Sequence, residues 1–253
     1  MDSKPKTAAY KHAVVIGGSI AGLMAAKVLS ETFNKVTVLD KDTPPDKSEV
    51  RKGAPQGAHA HVVLESGREI MEKFYPGLTE EMESGGANIA DTANHVAWFH
   101  HGVWKMRYKS GIKLTLASRP FLEWNIRQRT AQVPNIQIIN ETTVADLLSS
   151  EDNNTILGVK ITKTGNSSNI TNLQADLVVD ATGRGSRAPI WLTDMGYEAP
   201  KEEHVGVNLS YTSRMFEKPD SFKGDWKFLI HYPKTPYNWR AGLITCVEDN
   251  KWI

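Results

Sequence analysis

The segment Val14–Gly22, which reads Val-Val-Ile-Gly-Gly-Ser-Ile-Ala-Gly, constrains the fold of this chain more than any other feature. A β-branched run at His12–Ile16 leads into its glycines and is typical of a buried parallel strand. Apolar residues at helical spacing follow over Ile20–Phe33, with alanines that allow close packing against a sheet. A second strand is predicted at Lys35–Leu39. The order strand, glycine turn, helix, strand predicts a βαβ unit of an α/β domain.

Three small residues of this turn each suit a task in binding a dinucleotide. Gly17 allows the tight turn, Ser19 lets the backbone approach a pyrophosphate, and Gly22 lets the helix pack on the strand. The pyrophosphate would lie at the N–H groups of the helix N-terminus. Asp40 ends the second strand at about the 20-residue spacing expected of a carboxylate that accepts hydrogen bonds from ribose hydroxyls. The alternative is a structural turn that binds nothing, and the surrounding order of elements favours the dinucleotide site.

A second turn is predicted within Asp176–Ser186, where the buried strand Asp176–Asp180 ends in small residues. In open α/β sheets, ligands bind at the carboxyl ends of the strands. We therefore expect this turn to line the same site. The alternative is an ordinary strand-end loop, which would have the same sequence pattern.

Composition excludes some classes of partner. Thirty basic and 29 acidic side chains give the 253 residues a net charge of +1, so nothing global favours nucleic acid or an anionic membrane. The single cysteine, Cys246, reads as a small core residue. The polar start at 1–12 lacks the apolar core of a signal peptide, and the apolar stretch at 13–26 is too short to span a membrane. The pair His59 and His61 could bind a metal, but the spacing places no third ligand, so no metal is expected. Without a signal peptide or a membrane span, the default location is the cytoplasm.

The rest of the chain alternates between α/β and antiparallel patterns. A helix is predicted at His61–Phe74, and β-rich runs at Val205–Arg214 and Arg240–Val247 predict an antiparallel sheet. We predict a Rossmann-like βαβ domain interleaved with a mostly antiparallel substrate domain. The predicted division is 10–85 and 117–192 for the cofactor domain, and 86–116 and 193–253 for the substrate domain.

Taken together in order, these motifs resemble the FAD-dependent class A flavoprotein monooxygenases, the para-hydroxybenzoate hydroxylase-like group. The resemblance is carried by Gly17–Gly22, the acidic strand end, Arg119–Trp124 and Asp176–Ser186, and covers roughly residues 10 to 253. The loop Arg51–His61 resembles one in bacterial members of the group. The chain departs from the family pattern in carrying Thr182-Gly183 where Asp-Gly is usual, and in lacking a later Gly-Asp-Ala motif. By this resemblance it is an N-terminal fragment of a family member.

The resemblance implies FAD as cofactor and NAD(P)H as co-substrate. The glycine turn would hold the pyrophosphate and Asp40 the ribose. Arg119 would contact the phosphate or ribityl oxygens, and the Val144 backbone the adenine edge. In the loop Arg51–His61, Arg51, Gln56 and His59 would lie near the flavin. The cofactor-binding residues predicted in this way are Gly17, Gly18, Ser19, Ile20, Ala21, Gly22, Asp40, Lys41, Arg51, Gln56, His59, Arg119, Val144, Ala181, Thr182 and Gly183.

The implied activity is an NAD(P)H-using monooxygenase, a hydroxylase or epoxidase, acting on an apolar or aromatic small molecule. Two alternatives stay open: a flavin-dependent reductase or dehydrogenase of an isoprenoid-like substrate, and a catalytically inactive FAD-binding fragment. No side chain stands out as an acid–base catalyst. Unpaired strand edges in an incomplete sheet would favour self-association.

Overall fold

The computed structural model describes residues 10–166 and 169–253. The start of the chain, on which the expectation of no signal peptide rests, lies mostly outside these residues. In the described parts the α-helices are α1 (Ile20–Leu29), α2 (Glu65–Phe74), α3 (Leu78–Ser84), α4 (Arg119–Ala131) and α5 (Ala188–Asp194). The strands are β1 (Tyr10–Ile16), β2 (Phe33–Leu39), β3 (Ala60–Val63), β4 (Asn88–Asp91), β5 (Val96–His100), β6 (Val103–Trp104), β7 (Lys113–Ser118), β8 (Ile136–Ile139), β9 (Thr142–Ser149), β10 (Ile156–Lys163), β11 (Thr171–Gln174), β12 (Leu177–Asp180), β13 (Phe216–Glu217), β14 (Phe228–His231), β15 (Gly242–Val247) and β16 (Lys251–Trp252).

The chain forms two compact units that are interleaved in sequence. The first contains the residues up to Lys47 together with Arg51–Ala54 and Ile126–Asn208, and the second contains Ser48–Val50, Pro55–Asn125 and Leu209–Ile253. An α/β fold interleaved with antiparallel sheets is thus confirmed. That the units act as cofactor and substrate domains stays a prediction.

The first unit is built on a parallel sheet with strand order β12-β1-β2-β8. Helix α1 connects β1 to β2, so the predicted βαβ unit is confirmed. Alternate residues of β1 pack on opposite faces: Ala13 and Val15 join Ala26 of α1, whereas Val14 joins Val144 of β9. Because both faces of β1 are covered from Ala13 onward, its sequence is continuously apolar over Ala13–Ile16. An antiparallel sheet, β11-β10-β9, completes this unit.

The second unit contains a six-stranded sheet, β13-β16-β15-β14-β5-β6, and a three-stranded sheet, β3-β7-β4. All strand pairs in both sheets are antiparallel except β14 with β5. A core of Ala90, Val96, Leu114 and Leu116 forms its apolar interior, with Phe228 and Ile230 packed against it. Cys246 is buried, as predicted.

One predicted element is confirmed only in part, and one is wrong. The helix predicted at His61–Phe74 begins only at Glu65, because Ala60–Val63 pairs with β7 as a strand. The run Val205–Arg214 forms no strand, since no other described strand pairs with it. Its apolar side chains are open to solvent, with Val205 91% exposed. A β-rich sequence becomes a strand only where a neighbouring backbone supplies hydrogen bonds.

Candidate dinucleotide-binding site

The glycine turn after β1 is packed so closely that Gly17 and Gly22 have no room for a side chain. Gly17 has a φ of +105°, and a Cβ placed there would lie 2.7 Å from the carbonyl oxygen of Ala181. At Gly22 a Cβ would lie 1.8 Å from the carbonyl oxygen of Gly17. Both positions therefore require glycine, one for backbone conformation and contact and the other for contact alone. The predicted role of Gly22 in close helix–strand packing agrees with this geometry.

Helix α1 begins directly after this turn, with Ser19 as its extended N-cap residue. The N–H groups of the first helical turn, at Ile20, Ala21 and Gly22, have no acceptor within the helix. Together with the helix dipole they form a site that favours an anion. The local geometry is therefore suited to a phosphate group.

Asp40 lies at the carboxyl end of β2 and is 4% exposed. Its Oδ1 accepts a hydrogen bond of 3.2 Å from the backbone N–H of Asp42. Its Oδ2 accepts a 2.7 Å hydrogen bond from Nη2 of Arg127, and Nη1 of Arg51 lies 3.5 Å away. Arg51 also forms a 2.7 Å ion pair with Asp42. The negative charges of two carboxylates are therefore balanced by the positive charges of two guanidinium groups at this strand end.

The second turn follows β12 and is held by its own strand-end carboxylate. Asp180 Oδ1 accepts hydrogen bonds from the backbone N–H and the hydroxyl of Thr182, at 2.9 and 2.5 Å, and its Oδ2 accepts one from the Ser186 hydroxyl at 2.6 Å. Burial alone would raise the pKa of Asp180, but the hydrogen bonds from Ser186 and Thr182 outweigh burial and hold it below its ordinary value of 3.8. The turn is thus fixed by an ionised carboxylate.

These elements enclose a cavity of about 260 Å³ at the carboxyl ends of β1, β2 and β12. The volume lies just below the ~300–1,000 Å³ of typical small-molecule sites, so it suits one part of a dinucleotide. The lining residues are Ile16, Gly17, Gly18, Ser19, Leu39, Asp40, Lys41, Asp42, Arg51, Gly53, Thr142, Thr143, Val144, Ala181, Thr182, Gly185, Arg187 and Trp191.

The structure brings together most of the predicted cofactor residues of the first unit. Nine of them line the cavity: Gly17, Gly18, Ser19, Asp40, Lys41, Arg51, Val144, Ala181 and Thr182. Ile20, Ala21 and Gly22 form the adjacent first turn of α1, and Gly183 continues the second turn.

The other three predicted cofactor residues belong to the second unit. Gln56 lies in a short 3₁₀ turn, and the His59 Nδ1 lies 2.9 Å from the Ser213 hydroxyl. Arg119, at the start of α4, forms a 3.0 Å ion pair with Glu123. Their contact with a cofactor stays a prediction.

Sequence reasoning missed Arg127 and Trp191. Arg127 lies in the last two turns of α4, within an Arg-Gln-Arg run that looks like an ordinary helix surface. Trp191, on α5, is 4% exposed and lines the cavity. Neither belongs to a recognisable motif, so no local signal identified them.

Within residues 10–166 and 169–253, no group of three or more histidine, cysteine, aspartate or glutamate side chains is arranged to hold a metal ion. None of the helices in that part of the chain has the length and apolar character needed to cross a membrane.

No protein-family model matches the chain. A relative in Mycobacterium tuberculosis, protein Rv3254, is 34% identical over 254 residues, covering 96% of this chain and 52% of the relative. The chain therefore spans about half the length of the relative that it matches.

Solved structures of proteins named as monooxygenases or oxygenases share the fold. PqsL of Pseudomonas aeruginosa, described as a probable FAD-dependent monooxygenase, aligns with a TM-score of 0.66 at 15% identity over 95% of this chain and 59% of its own. p-Nitrophenol 4-monooxygenase PnpA of Pseudomonas putida aligns with a TM-score of 0.64 at 14% identity over 96% and 56%. 2-Methyl-3-hydroxypyridine-5-carboxylic acid oxygenase aligns with a TM-score of 0.61 at 17% identity, over 96% of this chain and 57% of its own. The chain therefore has the fold of the FAD-dependent flavoprotein monooxygenases, as the sequence resemblance predicted.

Proposed function

We propose that the first unit binds the ADP half of FAD. The observation that carries this proposal is that the glycine turn, the buried carboxylate of Asp40 and the second turn line one cavity. A side chain at Gly17 or Gly22 would collide with backbone, because the second turn and helix α1 both approach the glycine turn closely. This arrangement suits a pyrophosphate at the start of α1 and a ribose at Asp40.

The residues present are compatible with FAD. Asp40 can accept further hydrogen bonds, since an ionised carboxylate offers about four acceptor positions. The Val144 backbone, which also lines the cavity, would meet the adenine edge. Arg51, Gln56, His59 and Arg119 would then contact the rest of the cofactor. When bound, FAD would supply the redox chemistry with NAD(P)H and dioxygen, while the protein supplies position and electrostatics.

We further propose a monooxygenase, a hydroxylase or epoxidase, whose substrate is an apolar or aromatic small molecule. The proteins of similar fold that are named as monooxygenases support the reaction class. In the second unit, the rings of Trp98 and His100 both lie against Tyr232, with centroid distances of 5.4 and 5.0 Å. Such a group, on β5 and directly after β14, would offer ring faces and edges to a planar substrate.

The first experiment is the visible absorption spectrum of the purified chain, repeated after heat release of any ligand. A yellow protein that releases FAD supports the proposal. A colourless protein that takes up neither FAD nor ADP in titration calorimetry would refute it and leave the βαβ unit as a structural element only.

The reaction class needs a second measurement. NAD(P)H oxidation that requires dioxygen and yields an oxygenated product supports a monooxygenase, whereas turnover without dioxygen supports the reductase or dehydrogenase alternative. FAD binding without either reaction supports an inactive FAD-binding fragment. Light scattering of the same sample tests self-association, which the exposed apolar side chains around Val205 favour.

A further inference from the structure

Arg127 supplies the strongest counter-charge to the buried carboxylate of Asp40. The two side chains are 9% and 5% exposed, and Nη2 lies 2.7 Å from Oδ2. Arg51 is the other cation nearby, but it lies 3.5 Å from Asp40 and its closer partner is Asp42. A buried carboxylate without a bonded cation is strongly disfavoured, so Asp40 depends mainly on Arg127.

The guanidinium of Arg127 also connects three neighbouring parallel strands. Nη2 donates to the Gly18 carbonyl oxygen at 2.8 Å, after the end of β1, and to Asp40, after the end of β2. Nη1 donates to Asn140 Oδ1 at 3.3 Å, after the end of β8. Because the planar fork fixes its donors relative to one another, these bonds fix the carboxylate relative to the glycine turn.

Gly18 leaves the space in which this ion pair forms. A Cβ at Gly18 would lie 2.4 Å from Oδ2 of Asp40 and 2.9 Å from Nη2 of Arg127. A side chain at Gly18 would therefore displace the two ion-paired groups. The turn and the ion pair form one packed unit.

We propose that Arg127 is a positioning residue that holds Asp40 in the orientation needed to accept the hydroxyl groups of the adenosine ribose. This inference adds a positioning residue to the proposed FAD site and rests on that proposed function. Arg127 binds Oδ2, while the described contact of Oδ1 is a single 3.2 Å hydrogen bond from Asp42. The carboxylate therefore keeps acceptor positions for the ribose while its charge stays balanced.

The test compares the affinities of ADP and 2′-deoxy-ADP by titration calorimetry on the full chain. A ribose hydroxyl that donates to a carboxylate should favour ADP over 2′-deoxy-ADP by about tenfold or more in the wild-type chain. Arg127→Met should lower this ratio to near one. Arg129→Met is the matched control, because it removes an arginine two residues further along the same helix, whereas the bond to Asp40 belongs to Arg127. It should keep the wild-type ratio.

The ratio separates positioning from a general structural role. If Arg127→Met weakens both nucleotides equally and the preference for ADP persists, Arg127 does not position Asp40 and the inference is wrong. If the wild-type chain binds neither ADP nor FAD, the proposed function itself fails and this inference falls with it. Should Arg127→Met not fold by circular dichroism, Arg127→Lys is used instead. It keeps the charge but loses the fork, and an unchanged wild-type ratio in that variant would also overturn the inference.

Discussion

Two helix glycines, Gly22 in α1 and Gly67 in α2, should respond in opposite directions to the same substitution. Replacing a helical glycine by alanine stabilises a helix by up to about 1 kcal/mol. At Gly67 the new Cβ would meet Val63 at 3.4 Å, an ordinary contact, so the gain should be realised. At Gly22 the new Cβ would lie 1.8 Å from the backbone oxygen of Gly17 and needs about 1.6 Å more to reach that ordinary distance.

The contact at Gly22 cannot be relieved by rotating a side chain, because the colliding atom belongs to the backbone of the turn. Overpacking of this kind costs about 1–3 kcal/mol, which exceeds the gain in helix propensity. Net of the gain in helix propensity, Gly22→Ala should cost up to about 2 kcal/mol and lower the melting temperature by up to about 8 °C, at about 2–4 °C per kcal/mol for a chain of this size. Gly67→Ala should raise the melting temperature by up to about 4 °C.

Thermal unfolding followed by circular dichroism measures both shifts, and titration with ADP measures the site. Displacement of α1 from the turn should weaken ADP binding in Gly22→Ala, while Gly67→Ala should bind ADP as the wild-type chain does. Equal stability and equal ADP affinity for Gly22→Ala and the wild type would refute the close packing of turn and helix.

Three further changes test other parts of the molecule. The pKa of Asp180 is lowered in the folded chain, so its carboxylate stabilises the fold above its ordinary pKa and loses that effect as pH falls through the folded value. Melting temperatures from pH 6 to pH 3 should therefore decline less steeply for Asp180→Asn, and an unchanged slope would contradict this. Leu116→Ala, at a side chain with 0% exposure, should cost about 2–5 kcal/mol in urea unfolding yet leave ADP affinity unchanged, because the cavity is lined by the first unit. ADP should alter tryptophan fluorescence through Trp191, which lines the cavity, and Trp191→Phe should abolish that change; persistence of the signal would place the ligand elsewhere.

The parts of the fold that the sequence determined are those encoded by short spacings. The glycine turn, helix α1 and Asp40 follow one another within a single βαβ unit, so periodicity and residue type indicate their structure. The strand and turn after Asp176 were predictable for the same reason, since a run of β-branched residues ends in small ones.

The tertiary structure decided what depends on distant partners. Arg127 reaches Asp40 across 87 residues of sequence, and only the parallel order of β1, β2 and β8 brings the two together. Ala60–Val63 became a strand because β7 offers it hydrogen bonds, whereas Val205–Arg214 forms no strand and pairs with none among the described residues. Local sequence specifies conformational preference. A buried ion pair or a strand forms only where the fold supplies the oppositely charged group or the neighbouring strand.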